Sequence, residues 1–169
     1  MRRLTGMVLA GLAGLVCAAA PSPSWQTGRA ESGAPFAVTF ADDAVTPLLS
    51  FICEPDALVA TVHGQTHLRD PESGQEIGDA PGSEMTGSAA QLALITDTVN
   101  AQWAWAEAEP NPAGGWDLTI RLPLDHPGLL AFPRAKMIAL VNPGGGTAAA
   151  VEKADRPRLA VFVRQCRGG

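Results

Sequence analysis

Two histidines and an aspartate lie within eight residues of one another, at His63, His67 and Asp70. Imidazole and carboxylate groups are common zinc ligands, and on a helix this spacing would direct both rings at one ion. Gly64 and the β-branched residues before it favour a hairpin instead, in which the rings can still face each other. The zinc-protease motif is excluded because no glutamate separates the histidines. We expect surface histidines beside a turn and no bound metal or cofactor, with these three residues as the only candidate ligands.

A second candidate site is the pair Trp103 and Trp105, which share one face of a predicted strand with Glu107. Paired indoles can stack on sugar rings or present an apolar patch to a protein. More commonly such side chains fill a core, and this is the arrangement that we expect. Because the opposite face carries only alanines, at positions 104, 106 and 108, a binding surface formed by the two tryptophans stays open as the alternative.

No nucleophile motif accompanies these residues. The sequence contains no Gly-x-Ser-x-Gly, Ser-x-x-Lys or Cys-x-x-Cys motif. The Gly-rich stretch 142–146 lacks the lysine of a phosphate-binding loop and favours a hairpin turn. We therefore predict no catalytic residue and a non-catalytic binding or accessory role. The alternatives are a hydrolase with an unrecognised site and a small metal-binding protein.

The N-terminus predicts export. Arg2 and Arg3 precede an uncharged apolar run, 4–16, and small residues at 18–20 offer a cleavage site, which is typical of a Sec signal peptide over 1–20. An uncleaved membrane anchor is the alternative, and Val16 before Cys17 disfavours a lipoprotein. We expect a periplasmic or secreted protein with no membrane span after cleavage.

Composition limits the class of protein and its partners. The chain has 169 residues, of which 46% are hydrophobic and 17% charged, which indicates one globular domain rather than a disordered or coiled-coil protein. Removing Arg2 and Arg3 changes the formal net charge from −5 to −7. A chain this acidic, without a basic cluster, is not expected to bind nucleic acid. The expected partner is an envelope protein or a glycan.

Cleavage also leaves two cysteines, Cys53 and Cys166, in an oxidising compartment, where they can form one disulfide. Two free thiols or a metal-binding pair are the alternatives.

Alternating and continuous apolar segments predict a mainly β fold, an antiparallel sandwich or open barrel of about seven to nine short strands. The continuous run at 48–53 is typical of a strand buried on both faces. The predicted strands lie at 36–40, 48–53, 57–63, 91–95, 99–106, 116–122, 137–141 and 147–151.

Two segments predict helices. Asp125 can cap a short helix near 125–132. Near 156–166, apolar residues at i, i+3, i+4 and i+7 predict a C-terminal helix, with Asp155 as its cap and a final strand as the alternative. The apolar stripe consists of Leu159, Phe162, Val163 and Cys166.

The predicted organisation is a signal peptide (1–20), a flexible leader (21–34) in which Trp25 can dock, and one β-rich domain (35–169). This layout, with a strand ending in Cys53 and a terminal helix carrying Cys166, resembles uncharacterised exported, periplasmic β-rich proteins of alphaproteobacteria with one disulfide. The resemblance supports the pairing Cys53–Cys166 and implies no function.

Overall fold

The structure is a computed structural model that describes residues 23–29, 36–42, 47–70, 72–74, 76–77 and 90–168. In these ranges the chain forms eleven strands and two helices. In chain order they are β1 (Ser24–Arg29), β2 (Phe36–Ala41), β3 (Pro47–Cys53), β4 (Leu58–Gln65), β5 (Leu68–Arg69), β6 (Glu76–Ile77), β7 (Ala90–Thr96), β8 (Trp103–Pro110), β9 (Trp116–Leu122), α1 (Pro127–Ala131), β10 (Met137–Asn142), β11 (Gly145–Ala150) and α2 (Arg156–Cys166).

Nine of these strands form one antiparallel sheet in the order β1-β2-β3-β4-β9-β8-β7-β10-β11, while β5 and β6 pair with each other. The sheet curls into a half-barrel, so that β11 packs against β3 and β4. Nε1 of Trp25 in β1 donates a hydrogen bond of 2.8 Å to the carbonyl of Ala150 in β11. One side chain thus joins the two edge strands, and the predicted mainly β fold is confirmed in its open-barrel form.

An aromatic cluster fills the inside of the curl. Phe51 of β3 packs edge-on against Phe132 at a ring distance of 5.0 Å, and Phe132 stacks on Phe162 of α2 at 6.3 Å. Trp25 contacts Phe40 and Phe51 and is only 1% exposed. Burying these rings is the main source of stability for a sheet with one covered face.

The strands on the β3 side of the sheet have one buried and one accessible face. In β3, the side chains of Leu49, Phe51 and Cys53 are buried, whereas Ser50 and Ile52 are half-exposed. The prediction that this segment is buried on both faces is therefore wrong. The same alternation in β4 and β9 produces a second, outward-facing surface with polar side chains such as Thr61 and Thr119.

The C-terminal helix is confirmed with its predicted stripe, since Leu159, Phe162, Val163 and Cys166 are all buried. Val161 points outward and is 39% exposed, as the helix requires and a final strand would not. Asp155 occupies the N-cap position, but its carboxylate accepts from the N–H of Glu152 in the preceding turn and makes no capping bond to the helix.

The short helix α1 is also confirmed, with a different cap from the one predicted. His126, not Asp125, occupies the N-cap position, and its Nδ1 accepts a hydrogen bond from the N–H of Gly128 at 3.1 Å. Burial of the His126 ring lowers its pKa, despite the opposing charge of Asp125, and so favours the neutral imidazole that can accept this bond.

A disulfide joins Cys53 at the end of β3 to Cys166 at the end of α2, as predicted. The bridge holds the helix against the sheet across 113 residues of sequence. Both cysteines are buried, so the bridge is part of the core.

Two segments differ from their predictions. Ser24–Arg29, predicted within a flexible leader, pairs along its length with β2, because the Trp25 side chain is buried in the aromatic cluster. Strand β8 begins at Trp103 rather than at 99, because Thr96 and Val99 close a tight turn through reciprocal backbone hydrogen bonds of 3.3 Å. Neither helix in the described ranges has the length and apolar character needed to cross a membrane.

Candidate functional site

The outward-facing surface of β2, β3, β4, β9 and β8, here called the outer face, carries the candidate site. Register places five polar residues in one row across these strands, each opposite its neighbour. Four of the five have a hydroxyl group, and the fifth is a carboxylate at the β8 end. The row runs Thr39, Ser50, Thr61, Thr119 and Glu107.

Ser50 of this row also belongs to a hydrogen-bonded array, which it forms with a histidine and an aspartate from the two strands that follow β3 in the sheet. The hydroxyl of Ser50 lies 2.8 Å from Nε2 of His63, and Nδ1 of His63 lies 2.9 Å from Oδ2 of Asp117. The side chains of His63 and Asp117 are 19% and 26% exposed, so the array is shielded yet reachable from solvent. These are the contacts by which a serine nucleophile, its base and the residue that orients the base are recognised.

A β-bulge creates this geometry. The pairing of β4 with β9 shifts between Val62 and Gln65, so that His63 and Gly64 both lie opposite Asp117. Gly64 has φ of +63°, a conformation that suits glycine, and its N–H donates to Oδ1 of Asp117 at 3.0 Å. Bulges commonly redirect one side chain of a strand. Here the bulge brings the His63 ring between Ser50 and Asp117.

The turn 111–115 fixes the aspartate from the other side. Asn111 donates from Nδ2 to Oδ1 of Asp117 at 2.6 Å, while its own Oδ1 accepts from the N–H of Ala113. Gly115, at φ of +75°, passes so close to the Gln65 carbonyl that a Cβ there would lie 2.8 Å from the oxygen. The turn is therefore held against β4 with Asn111 directed at the carboxylate.

These contacts keep Asp117 ionised. Partial burial alone would raise its pKa, but hydrogen bonds from Asn111, His63 and the Gly64 N–H outweigh burial and lower the pKa below its ordinary value. An ionised carboxylate accepts hydrogen bonds only, so Nδ1 of His63 carries the proton. In the neutral ring Nε2 is then an acceptor, and the Ser50 hydroxyl donates to it. This is the tautomer in which histidine can take a proton from serine.

An open groove lies beside His63. It has a volume of about 710 Å³, and it runs between Pro47 and Leu48 of β3, the bulge at His63 and Gly64, and the turn 111–115. Its walls include the apolar side chains of Pro47 and Leu48, so the groove can receive a small apolar group at the edge of the array.

The tryptophan pair lies at the other end of the outer face. Trp103 and Trp105 are 49% and 56% exposed, so the prediction that they fill the core is wrong. The alanine face of β8 turns inward instead: Ala106 is buried and Ala104 packs against the core. Small alanines fit there because the aromatic rings of other elements already occupy the interior.

Carboxylates continue the line of the two indoles along β8. Glu107 and Glu109 are exposed on the same face, and Glu109 lies opposite Asp117 in register. Arg121, the nearby cation of β9, makes a salt bridge of 2.7 Å with Glu54. The outer face therefore runs from an aromatic end through an acidic centre to the Ser50–His63–Asp117 array.

The three candidate metal ligands have separate partners. His63 belongs to the array. Nδ1 of His67 lies 3.3 Å from Oε1 of Glu76 in β6, and the His67 side chain is largely exposed. Asp70 accepts from the N–H groups of Ser73 and Glu72 and closes a turn, and these bonds lower its pKa. No group of three or more metal-ligating side chains occurs in the part of the chain that the structure describes.

The Gly-rich stretch 142–146 forms the predicted hairpin between β10 and β11. Asn142 is buried, and its Oδ1 accepts from the N–H of Gly144 at 2.7 Å within the turn.

Comparison with family models, with curated proteins and with solved structures finds no match for the chain.

Sequence reasoning missed the array because its members are 13 and 54 residues apart along the chain and no local motif surrounds Ser50. A signal was available. Ser50 is the one polar residue in the apolar run 48–53, and Asp117 and His63 face outward on strands with clear alternation. Only the strand order β3-β4-β9 brings these positions together.

Proposed function

We propose that the protein is exported to the periplasm or beyond by a cleaved Sec signal peptide and acts there as a glycan-binding module of the cell envelope. The N-terminal pattern of Arg2 and Arg3 followed by the apolar run 4–16 supports export. The disulfide Cys53–Cys166 supports it independently, because such bonds persist in oxidising compartments. The layout of the chain, which resembles that of exported proteins of alphaproteobacteria, is a further argument for export.

The exposure of Trp103 and Trp105 carries the binding proposal. Two indoles about half exposed on one strand leave a large apolar area in water, which is unfavourable unless a partner covers it. Because residues two apart on a strand point the same way, the two indoles extend from the same side of β8, and their Cα atoms are about 7 Å apart. This arrangement offers two aromatic platforms to consecutive rings of a chain.

A glycan fits this surface better than a protein does. The C–H face of a sugar ring packs on an indole, and its hydroxyls donate to carboxylates such as those of Glu107 and Glu109 on the same face. The centre of a protein interface is depleted in Asp and Glu, whereas here Glu109 and Asp117 lie directly beyond the indoles. A neutral, hydroxyl-rich chain matches both features.

The test is sedimentation of the purified domain with isolated peptidoglycan sacculi and with immobilised envelope polysaccharide. We expect binding by the wild-type protein and a loss of at least about tenfold in affinity for the double variant Trp103→Ala/Trp105→Ala, equivalent to about 1.4 kcal/mol. The matched control is Val161→Ala, which removes an exposed apolar side chain on α2, away from the outer face.

No binding to any of these polysaccharides, or equal binding by wild type and double variant, would contradict the proposal. Cross-linking in intact cells that captures a protein through position 103 or 105 would replace the glycan with a protein partner. The hydrolase alternative is favoured by a different observation, the Ser50–His63–Asp117 array.

A further inference from the structure

We propose that Ser50 is a nucleophile that accepts acyl groups from neutral short-chain carboxylic esters, with His63 as its general base and acid and Asp117 as a positioning residue. This activity goes beyond glycan binding and does not depend on it. It rests on the array, on the row of hydroxyls to which Ser50 belongs and on the groove next to His63.

The hydrogen bonds fix the role of each member of the array. Nε2 of His63 lies 2.8 Å from the Ser50 hydroxyl, within the range needed to take its proton. Asp117 holds the opposite ring nitrogen, Nδ1, at 2.9 Å and stabilises the imidazolium that forms. Asn111 and the Gly64 N–H in turn hold the carboxylate, so the orientation of the ring is fixed by four elements of the chain.

The reaction consumes an ester and a water and yields an acid and an alcohol. Oγ of Ser50 bonds to the ester carbonyl carbon while its proton moves to Nε2 of His63. The bond from that carbon to the alcohol oxygen then breaks, and His63 returns the proton to the departing alcohol. Water attacks the resulting acyl-Ser50 ester, His63 takes the water proton, and that proton returns to Oγ of Ser50 as the carboxylic acid leaves.

The surroundings of Ser50 indicate esters rather than amides. Since β3 lies between β2 and β4, its backbone is committed to two strand ladders. The hydroxyls of Thr39 and Thr61 lie directly opposite Ser50 on those strands and are then the side-chain groups nearest in register to an oxyanion. Oγ1 of Thr61 lies 2.9 Å from Oγ1 of Thr119, so Thr61 can donate to the oxyanion when the Thr119 hydroxyl donates to Thr61. Neutral hydroxyls stabilise an oxyanion less than a preorganised pair of backbone N–H groups does, which suits a reactive carbonyl with a good leaving group.

The charge and shape of the surface further limit the class of ester that can bind. Asp117, Glu107 and Glu109 make the outer face acidic around the array, which disfavours phosphate esters and other anions. The groove beside His63, with the apolar side chains of Pro47 and Leu48, offers space for a short acyl or alkyl group.

The first test labels the folded wild-type protein with a fluorophosphonate probe and maps the modified peptide by mass spectrometry. We expect modification of Ser50, removed by the Ser50→Ala substitution and unchanged by Ser24→Ala, which alters an exposed serine on β1. Because the labelling uses the wild-type protein, its outcome does not depend on whether a variant folds. An unlabelled Ser50, or a label on another residue, would overturn the proposal.

The second test measures hydrolysis of p-nitrophenyl acetate and p-nitrophenyl butyrate. For Ser50→Ala and His63→Gln we expect kcat/KM to fall by at least about 100-fold. His67→Gln, which alters the exposed histidine paired with Glu76, is the matched control and should keep wild-type rates. Equal rates for wild type and Ser50→Ala would show that the hydrolysis does not use Ser50.

The positioning role of Asp117 has its own readout. Asp117→Asn should lower kcat by at least about 100-fold with little change in KM, because the amide favours the wrong tautomer of His63 without filling the groove. The matched control Asp56→Asn removes an exposed carboxylate that lies 3.4 Å from Arg121. A purely structural role for Asp117 would instead lower the melting temperature and leave the kcat of the folded fraction unchanged.

Discussion

The two faces of the sheet use the same strands for different purposes. On the inner face, Leu49, Phe51 and Cys53 of β3 are buried among aromatic rings and a disulfide. On the outer face, one residue along, Ser50 is hydrogen-bonded to His63. The inner face is held by apolar packing, which tolerates no polar group without a partner, whereas the outer face is held by hydrogen bonds between side chains. The residues that stabilise the fold and the residues that form the candidate site are therefore distinct, and they alternate along one strand.

The largest expected effect on stability belongs to the inner face. Phe162→Ala removes a fully buried ring that stacks on Phe36 and Phe132, and it should lower the free energy of unfolding by about 3–5 kcal/mol. Chemical denaturation followed by circular dichroism measures this. The control Val161→Asp alters the exposed side of the same helix and should cost less than about 1 kcal/mol. A Val161→Asp variant less stable than Phe162→Ala would show that the helix face is wrongly assigned.

Removing the disulfide between α2 and β3 should lower the free energy of unfolding somewhat less than Phe162→Ala does. The double variant Cys53→Ala/Cys166→Ala opens a loop of 113 residues and should lose about 2–4 kcal/mol of stability, chiefly by freeing the unfolded chain. The same unfolding curve, recorded for wild type in reducing and non-reducing buffer, is the control. Reduction should lower the stability of wild type and leave that of the double variant unchanged.

The smallest expected effect is a dependence on pH at His126. Because folding lowers the pKa of this buried ring below 6.5, the unfolded chain binds the proton more readily than the folded chain does. The contribution of His126 to the free energy of unfolding should be fully present above about pH 6.5. It should be lost as the pH falls from there towards the pKa of His126 in the folded protein. His126→Asn, which keeps an acceptor at the N-cap, should show a smaller loss between about pH 7 and pH 5. An identical loss in both proteins would assign the dependence to another group.

Much of the inner face could be predicted from the sequence. The bounds of β9 were predicted from the alternation of Trp116, Leu118, Ile120 and Leu122. The buried side of α2 was predicted from the apolar stripe that contains Phe162. Both succeed because burial imposes a period on the sequence itself. The disulfide was predicted from the number of cysteines in a chain with an export-like N-terminus and from the resemblance.

The outer face could not be predicted in the same way. Either side of β8 satisfies alternation, and only the filled interior decides that the alanines turn inward and Trp105 outward. The contact of His63 with Ser50 and Asp117 depends on strand order and on a bulge at Gly64, neither of which leaves a periodic signal. The cap at His126 was missed because a histidine accepts at an N-cap only when it is neutral.

The position of Trp25 has a consequence for the order of folding. Its indole bonds to Ala150 and its carbonyl accepts from Arg158, which follow it by 125 and 133 residues. A ribosome or an export channel that delivers the chain from its N-terminus therefore releases this residue long before either partner exists. Contacts so distant in sequence close late and slow the search for the native state. We expect the half-barrel to fold as one cooperative unit only after α2 has emerged. A chain truncated before residue 150 would lack the hydrogen bond from Trp25 to Ala150 that joins the edge strands β1 and β11.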